Sequence, residues 1–455
     1  GVASRPLARA GLVFFALVAL LAVYAPIVAS GHPIFMREVD TGALGSPLLE
    51  HLSAVDAVAA VVATGCGLWI ALPGGRPRVG RLGISLVLIG QGVLVALVCE
   101  GVSSIAQGRE APSWMRGASW LPTATALLSS VVLTVGALLA LRGARSGRIF
   151  AFAVLVGVVS AGAGVWKWTI PPETFPYESM RRGGDVEVVY TLIPYSPAQR
   201  PTDRDESFMP AMSRFERSVD DGSAHAHPVH ILGTDAFGQD VASQLVHACR
   251  LALTVGFVAT GVAFAVGVAV GAVMGYFGGL MDAVLMRVVE VFMSLPALFV
   301  LIVAAGIFPR SAVVMSVLIG LFSWQGVARL VRAEFMSMRG SDFVRAARAQ
   351  GVTGRSILFR HMLPNGVSSS VVGASFTVSA AILAEAVISY LGFGPVDRAS
   401  WGRLLSQAVS ETGGLVPHLA IAPGLMIFLT VLGANAVGSS VNEALDPARG
   451  GGGSR

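Results

Sequence analysis

The feature that most constrains this chain is a series of apolar stretches, each long enough to cross a bilayer. About 20 apolar residues span the roughly 30 Å hydrocarbon core of a membrane. Such stretches fall at 11–30, 52–72, 82–99, 121–141 and 149–168, and again at 251–276, 284–306, 312–333, 367–391 and 416–440. Charged residues make up 13% and hydrophobic residues 54%, with mean hydropathy +0.71. Globular domains carry about 25% charged residues. The expected fold class is therefore an all-α polytopic membrane protein of about ten transmembrane helices. Residues 11–30 follow Arg5 and Arg9 and lack a small-residue cleavage site close behind, so they read as an anchor helix rather than a removed signal.

Loop charge sets the expected orientation. Arg76, Arg78 and Arg81 crowd one turn, and Arg142, Arg145 and Arg148 another, with no acid in either. By the positive-inside rule both turns are cytoplasmic, the N-terminus is inside, and the chain emerges outside at 169. The region 329–360 holds seven arginines against Glu334 and Asp342, which places it inside by the same rule, and the C-terminus with it. The pI of 9.5 arises from arginines in these loops and does not indicate nucleic acid. Between the two groups of spans, residues 169–250 form a Pro-rich polar segment with twelve acids and seven arginines, as suits an outer face. A strand is expected within it at 186–192, VEVVYTL.

The longest polar, helix-competent run of the C-terminal half is 341–364, SDFVRAARAQGVTGRSILFRHMLP. Ser341 is placed to cap a helix and Asp342 to favour its positive end. Phe343, Val344, Ala346 and Ala347 give an apolar side, with Arg345 and Arg348 off it. Gly351 can take the left-handed conformation that ends a helix. Thr353 can cap a second short helix carrying Ile357, Leu358 and Met362, ending near Pro364. Small residues admit a partner closely, and arginines offer forked donors to its carboxylates. A basic amphipathic loop resting on lipid headgroups is the alternative.

These residues carry a resemblance. Ala346-Ala347, three residues, Gly351, nine residues and His361-Met362-Leu363-Pro364 resemble the Glu-Ala-Ala loop of bacterial ABC importer permeases. Arg345 in place of the glutamate, and His361 in place of an apolar residue, look like the dipeptide/oligopeptide/nickel branch. His230, Gly233, Thr234, Asp235, Gly238 and Asp240, in HILGTDAFGQDV, are similar to the branch's signature before its second core helix, with Gln239 where arginine is usual. Ile193-Pro194-Tyr195-Ser196 lies in a segment similar to the outer region of microcin C/peptide transporter permeases. Asp282, Arg287, Glu290 and Pro296 fit the third-helix pattern; Glu385, the run 389–394 and Ser400-Trp401-Gly402 fit a later one. The likeness is dense over 230–449, weak over the first span, and absent over 50–168.

The resemblance implies a type I ABC importer permease core with four inserted helices. The implied layout is a helix and outer loop at 1–50, the insertion at 51–168, an outer segment at 169–250, the core at 251–449 with coupling helices at 341–364, and a tail or linker at 450–455. The implied setting is the bacterial inner membrane. The implied partners are a homologous second permease, two ATP-binding subunits, a substrate-binding protein outside, and membrane lipid. Asp342, Arg345, Ala346, Ala347, Arg348, Gly351, His361 and Pro364 become the residues coupling to the ATPase.

ATP use needs a phosphate-cradling glycine loop followed by lysine. The one lysine, Lys167, sits in VWKWT, so ATP and magnesium are left to partner chains and no catalytic residue or cofactor is expected here. Cys66, Cys99 and Cys249 have neither metal spacing nor a disulfide framework. His225, His227, His230 and His247 fit no standard metal site. Glu290 and Glu385 lie in or beside apolar spans; they line a gate with Pro296, or bond helix to helix. The rival function is a secondary transporter or channel working without ATP, which would show inverted repeats and ion-coupling acids in broken helices.

Overall fold

The structure is a computed structural model that describes residues 6–39, 42, 44–71, 88, 91–95, 98–99, 102, 121–140, 154–162, 186–199, 207–213, 216–218, 224–226, 229–396, 398–410 and 416–445. Most of the stretches expected as spans at 82–99 and 149–168, with Lys167, His227 and the tail at 450–455, lies outside the described residues. In chain order the elements are α1 (Pro6–Val28), β1 (Phe35–Glu38), β2 (Leu44–Gly45), α2 (Pro47–His51), α3 (Ala54–Ala71), α4 (Leu121–Ala140), β3 (Val186–Val189), β4 (Glu216–Ser218) and β5 (Ala224–Ala226). They continue as α5 (Val241–Phe277), α6 (Gly279–Ser294), α7 (Ala297–Ile307), α8 (Ala312–Leu321), α9 (Trp324–Arg339) and α10 (Asp342–Ala349). A short turn and a π-helical segment, Ile357–Met362, lead into α11 (Leu363–Tyr390), then α12 (Trp401–Ser410) and α13 (Pro417–Leu445). The protein is thus mostly helical, as its apolar stretches require.

Two compact units are present, residues 23–194 and residues 1–22 with 195–455. In the first, β3 sits in the expected strand and pairs antiparallel with β1, Phe35 opposite Val189 and Glu38 opposite Val186, while β2 pairs on the other edge of β1. The residues after α1 are therefore stitched to residues that follow α4 in the chain. Between α3 and β3 the described helical residues carry polar groups: Gln91 Nε2 donates to Thr134 Oγ1 at 2.7 Å, and Ser129, Ser130 and Ser160 are buried.

In the second unit α5 is the central helix. Asp240 caps it by accepting from the Ser243 N–H, and Gly278 ends it at φ +65°. Gly267, Gly271 and Gly275 recur every fourth residue and so share one face. A Cβ on any of them would meet the backbone or Cβ atoms of α9 at 2.5–2.8 Å. Such close approach is how helices pack where no hydrophobic force separates protein from lipid.

Two stretches expected as continuous spans are broken. Between α6 and α7 the chain bends by 80°, because Pro296 has no N–H to donate and drives Leu295 into an extended conformation. Between α8 and α9 the bend is 43°, beside Ser323, whose hydroxyl donates to the Ile319 carbonyl. Among the described residues, Val241–Phe277 and Pro417–Ser440 are individually long and apolar enough to cross a membrane, and the two bent pairs raise that to four. All three cysteines are buried and none is in a disulfide.

Candidate coupling site

The run 341–364 forms an elbow. α10 carries its burial on one narrow strip, Val344 and Ala347, which joins Ile357, Leu358 and Met362 in a core with Ala272 of α5 and Val327, Val331 and Phe335 of α9. Phe343 and Ala346, expected on that inward side, are exposed instead. A helix of only eight residues against a flat support buries one strip at i, i+3, and these two residues fall outside it. Arg345 and Arg348 are exposed with them, and Arg345 Nη2 pairs with Asp342, whose side chain is 94% exposed.

The elbow's corner is Gly351. Its φ is +76°, its N–H donates to the Arg348 carbonyl, and the Val352 N–H donates to the Ala347 carbonyl at 3.1 Å. This is the Schellman arrangement, completed by Val352 packing in the same core as Ala347. The two side-chain caps expected from sequence are not made. Ser341 Oγ donates back to the Met338 carbonyl at 2.6 Å, and Thr353 likewise makes no side-chain cap. Nor does the second helix stop near Pro364. The π-helical segment runs straight into α11, with Pro364 just past the junction. Phe359, Arg360 and Pro364 are exposed and His361 is half-buried. The elbow is therefore fused to a 28-residue helix rather than hinged to it.

A bidentate pair that sequence reading did not assemble lies above the elbow. Arg332 of α9 grips Asp282 of α6 through Nε–Oδ1 and Nη2–Oδ2, the latter at 2.7 Å. Asp282 falls in the third-helix pattern, whereas no motif singles out Arg332. The signal was available, since an arginine in an apolar stretch demands a partner. Arg339 closes the same end by donating to the Phe277 carbonyl at 3.2 Å.

The His230–Asp240 signature is built in the opposite way, with its polar side chains turned inward. Asp235 is fully buried; its Oδ1 accepts from the Phe237 and Gln239 N–H groups, and its Oδ2 from Gln244 Nε2 at 2.8 Å. Asp240 accepts from Ser243 N through Oδ1 and meets His230 Nδ1 through Oδ2 at 2.9 Å. Tyr195 stacks on His230 at 4.2 Å. Thr234 Oγ1 accepts from Met209 N, and the Thr234 carbonyl lies 3.2 Å from His418 Nε2 at the start of α13. Gly233, at φ +77°, has the Met209 carbonyl where a Cβ would stand, and Gly238 turns at φ +73°.

The three gate candidates do not share one site. Glu385, 1% exposed, accepts from Ser389 Oγ at 2.6 Å and Ser400 Oγ at 2.8 Å, which ties the Ser400-Trp401-Gly402 loop to α11. Trp401 Nε1 donates to the Leu245 carbonyl, and Gly402 lies so close to the Ala386 carbonyl that no Cβ fits. Glu290 lies on the exposed face of α6 and pairs with Arg287 at 2.6 Å. Pro296 forms the break that follows.

Comparison with known proteins bears on this geometry. A family model for the binding-protein-dependent transport system inner membrane component matches residues 267–450, which include the elbow. The oligopeptide transport system permease protein OppC of Haemophilus influenzae is 35% identical over 219 residues, covering 48% of this chain and 70% of that protein. The glutathione transport system permease protein GsiD of Pectobacterium atrosepticum is 35% identical over 219 residues, covering 48% and 72%. The dipeptide transport system permease protein DppC of Alkalihalophilus pseudofirmus is 33% identical over 219 residues, again 48% and 72%. The chain belongs to this family of inner-membrane permease components of binding-protein-dependent ABC transporters. It is a transport subunit rather than an enzyme, and its system includes an ATPase and a substrate-binding protein.

Proposed function

We propose that the chain is one of two homologous permeases that carry peptides or peptide-like solutes inward, driven by two ATPase subunits docked on the elbow. The observation that carries this reading is the two-sidedness of α10. Val344 and Ala347 are held by α5 and α9, while Phe343, Arg345, Ala346 and Arg348 stand free of the chain's own core. A push on that outer face moves the buried strip, the core beneath it and α11 together, because Met362 and Leu363 join the elbow to α11 without a break. Arg345 and Arg348 supply polar contacts to the motor; Ala346 and the bend at Gly351 supply the close fit, with Asp342, His361 and Pro364 at its margins.

In this reading both termini and the elbow are cytoplasmic, ten spans cross the membrane, and the binding protein docks outside. The layout by residue is that expected above, with 51–168 as an inserted four-helix segment. Glu290, Arg287 and the break at Pro296 serve the path; the bonds of Glu385 to Ser389 and Ser400 favour a packing role for it. ATP and magnesium stay with the partners, and peptide cargo is supported by the relatives' oligopeptide and dipeptide systems.

The test is purification of the tagged chain from its membrane, with Ala346→Trp as the variant. An ATPase subunit in stoichiometric amount is expected with both forms of the chain. ATP-driven uptake of a radiolabelled peptide carried by the unaltered complex should be lost in Ala346→Trp, with thermal unfolding unchanged. Uptake by the chain alone would favour the ATP-independent rival, and undiminished uptake by Ala346→Trp would remove the docking role.

A further inference from the structure

α6 is a rod between two joints. Gly278 and Gly279, at φ +65° and +58°, turn the chain out of α5, and the 80° break at Leu295–Pro296 parts it from α7. Neither joint dictates the direction of the 16 residues between them, since glycine has no Cβ to restrict its rotation and Leu295 is extended rather than helical. The direction comes from α9, which has two working faces. Val327, Val331 and Phe335 lie in the core shared with Val344 and Ala347 of α10, on the elbow's side. Trp324 and Ala328 lie in a separate core with Val289 of α6, against which Leu285, Met286 and Phe292 pack. Arg332 follows Ala328 by four residues and so continues this second face, where Asp282 accepts both of its bonds. α6 is thus fastened to α9 twice, by Asp282–Arg332 near its start and by the edge-on contact of Phe292 with Trp324 at 5.6 Å near its end. Ten residues of helix separate the two fastenings on α6, about 15 Å at 1.5 Å per residue.

Resting on the permease reading above, we propose that the Asp282–Arg332 pair is the linkage that carries the elbow's motion to α6 and to the break at Pro296. The two fastenings differ in kind. An aromatic contact tolerates sliding, whereas a guanidinium fork on a carboxylate fixes both distance and plane. The side chains of Arg332 and Asp282 are only 28% and 14% exposed, so opening the fork would strand two partly desolvated charges. A displacement of α10 reaches Val331 and Phe335 through their shared core. α9 moves as one helix, and the fork obliges α6 to follow. Without the fork α6 keeps its joints and its contact with Trp324, but its direction no longer answers to the elbow. Asp282 and Arg332 are therefore positioning residues, acting without touching cargo or motor.

The test reconstitutes the full complex, with its ATPase and binding protein, in liposomes and reads uptake of a radiolabelled tripeptide per ATP hydrolysed. The variants are Asp282→Asn, Arg332→Gln, the two combined, and Arg332→Lys, which keeps the charge but loses the fork. Hydrolysis and subunit stoichiometry should persist in all four, because the elbow itself is untouched. Uptake per ATP should fall by at least about tenfold in each single variant, the effect of losing one charge-assisted hydrogen bond. The double variant should be no worse than the worse single, since the two side chains act as a unit. A merely structural staple would instead lower the melting temperature and the yield of complex, and leave uptake per ATP unchanged in the complexes that form. That outcome, or a double variant whose losses multiply, overturns the proposal. Where the neutral variants fail to assemble, Arg332→Lys decides alone: lost coupling supports the linkage, and full coupling removes it. No ATP-driven uptake by the unaltered complex would instead remove the permease reading, and the linkage with it.

Discussion

The elbow at 341–364 and the loop at 230–240 are two motifs of similar polarity that the chain uses in opposite ways. In the loop, His230, Thr234, Asp235 and Asp240 are buried and bonded to their own chain. In the elbow, Asp342, Arg345 and Arg348 point away from the core, and only aliphatic side chains are buried. A buried, bonded polar group holds a fold together, since leaving it unpaired is expensive. An exposed one is free to meet another molecule. A motif's residue types thus do not tell whether it serves folding or docking; the direction of its side chains does.

The largest effect should come from the loop. Asp235→Ala strips the acceptor from three donors, the Phe237 and Gln239 N–H groups and Gln244 Nε2. At roughly 1–3 kcal/mol for each buried group left unpaired, thermal unfolding in detergent should show a loss of several kcal/mol. An unchanged melting curve with failed transport would break the comparison, because the loop would then be serving a partner.

Charge reversal on the elbow comes next. Arg345→Glu with Arg348→Glu should lower ATP-driven uptake by at least about tenfold, since like charges brought together at an interface cost several kcal/mol. Stability should move by no more than about 0.5 kcal/mol, as for other surface changes. A matching fall in melting temperature would show that these arginines serve the fold after all.

Val344→Ala sharpens the picture from the other side of the same helix. Val344 is fully buried, so its truncation should cost about 1–2 kcal/mol and loosen coupling by unseating α10. Hydrogen exchange at 342–349 would report that loosening. Gly351→Ala should cost about 1 kcal/mol of stability, from forcing a side chain into the left-handed conformation. No atom of this chain lies within 4 Å of where the new Cβ would stand. A bulkier residue there has room within the chain, so any further loss of coupling would report the partner.

Much of this was readable in the residues. The apolar stretches located α1, α3, α4, α5 and α13, and Gly351 marked the corner of the elbow. Other features were not legible for identifiable reasons. A hydropathy pattern averages over a break, so 284–306 reads as one span although the chain bends by 80° at Pro296. Ser341 and Thr353 are good caps by type, but a hydroxyl takes the nearest acceptor, and for Ser341 that was the Met338 carbonyl. Phe343 and Ala346 are apolar by type, yet a short helix buries one strip only.

What the sequence determined by itself was the solvent: too few charges and too many long apolar runs for anything but a membrane, with arginines gathered at the elbow. What the tertiary structure decided was pairing across distance. Asp282 with Arg332, β1 with β3, and the glycine face of α5 with α9 each join residues that no local pattern connects. The reason is physical. Burial and charge are properties that a residue carries along the chain, whereas the partner satisfying a buried charge or filling a glycine groove is chosen only when the helices meet.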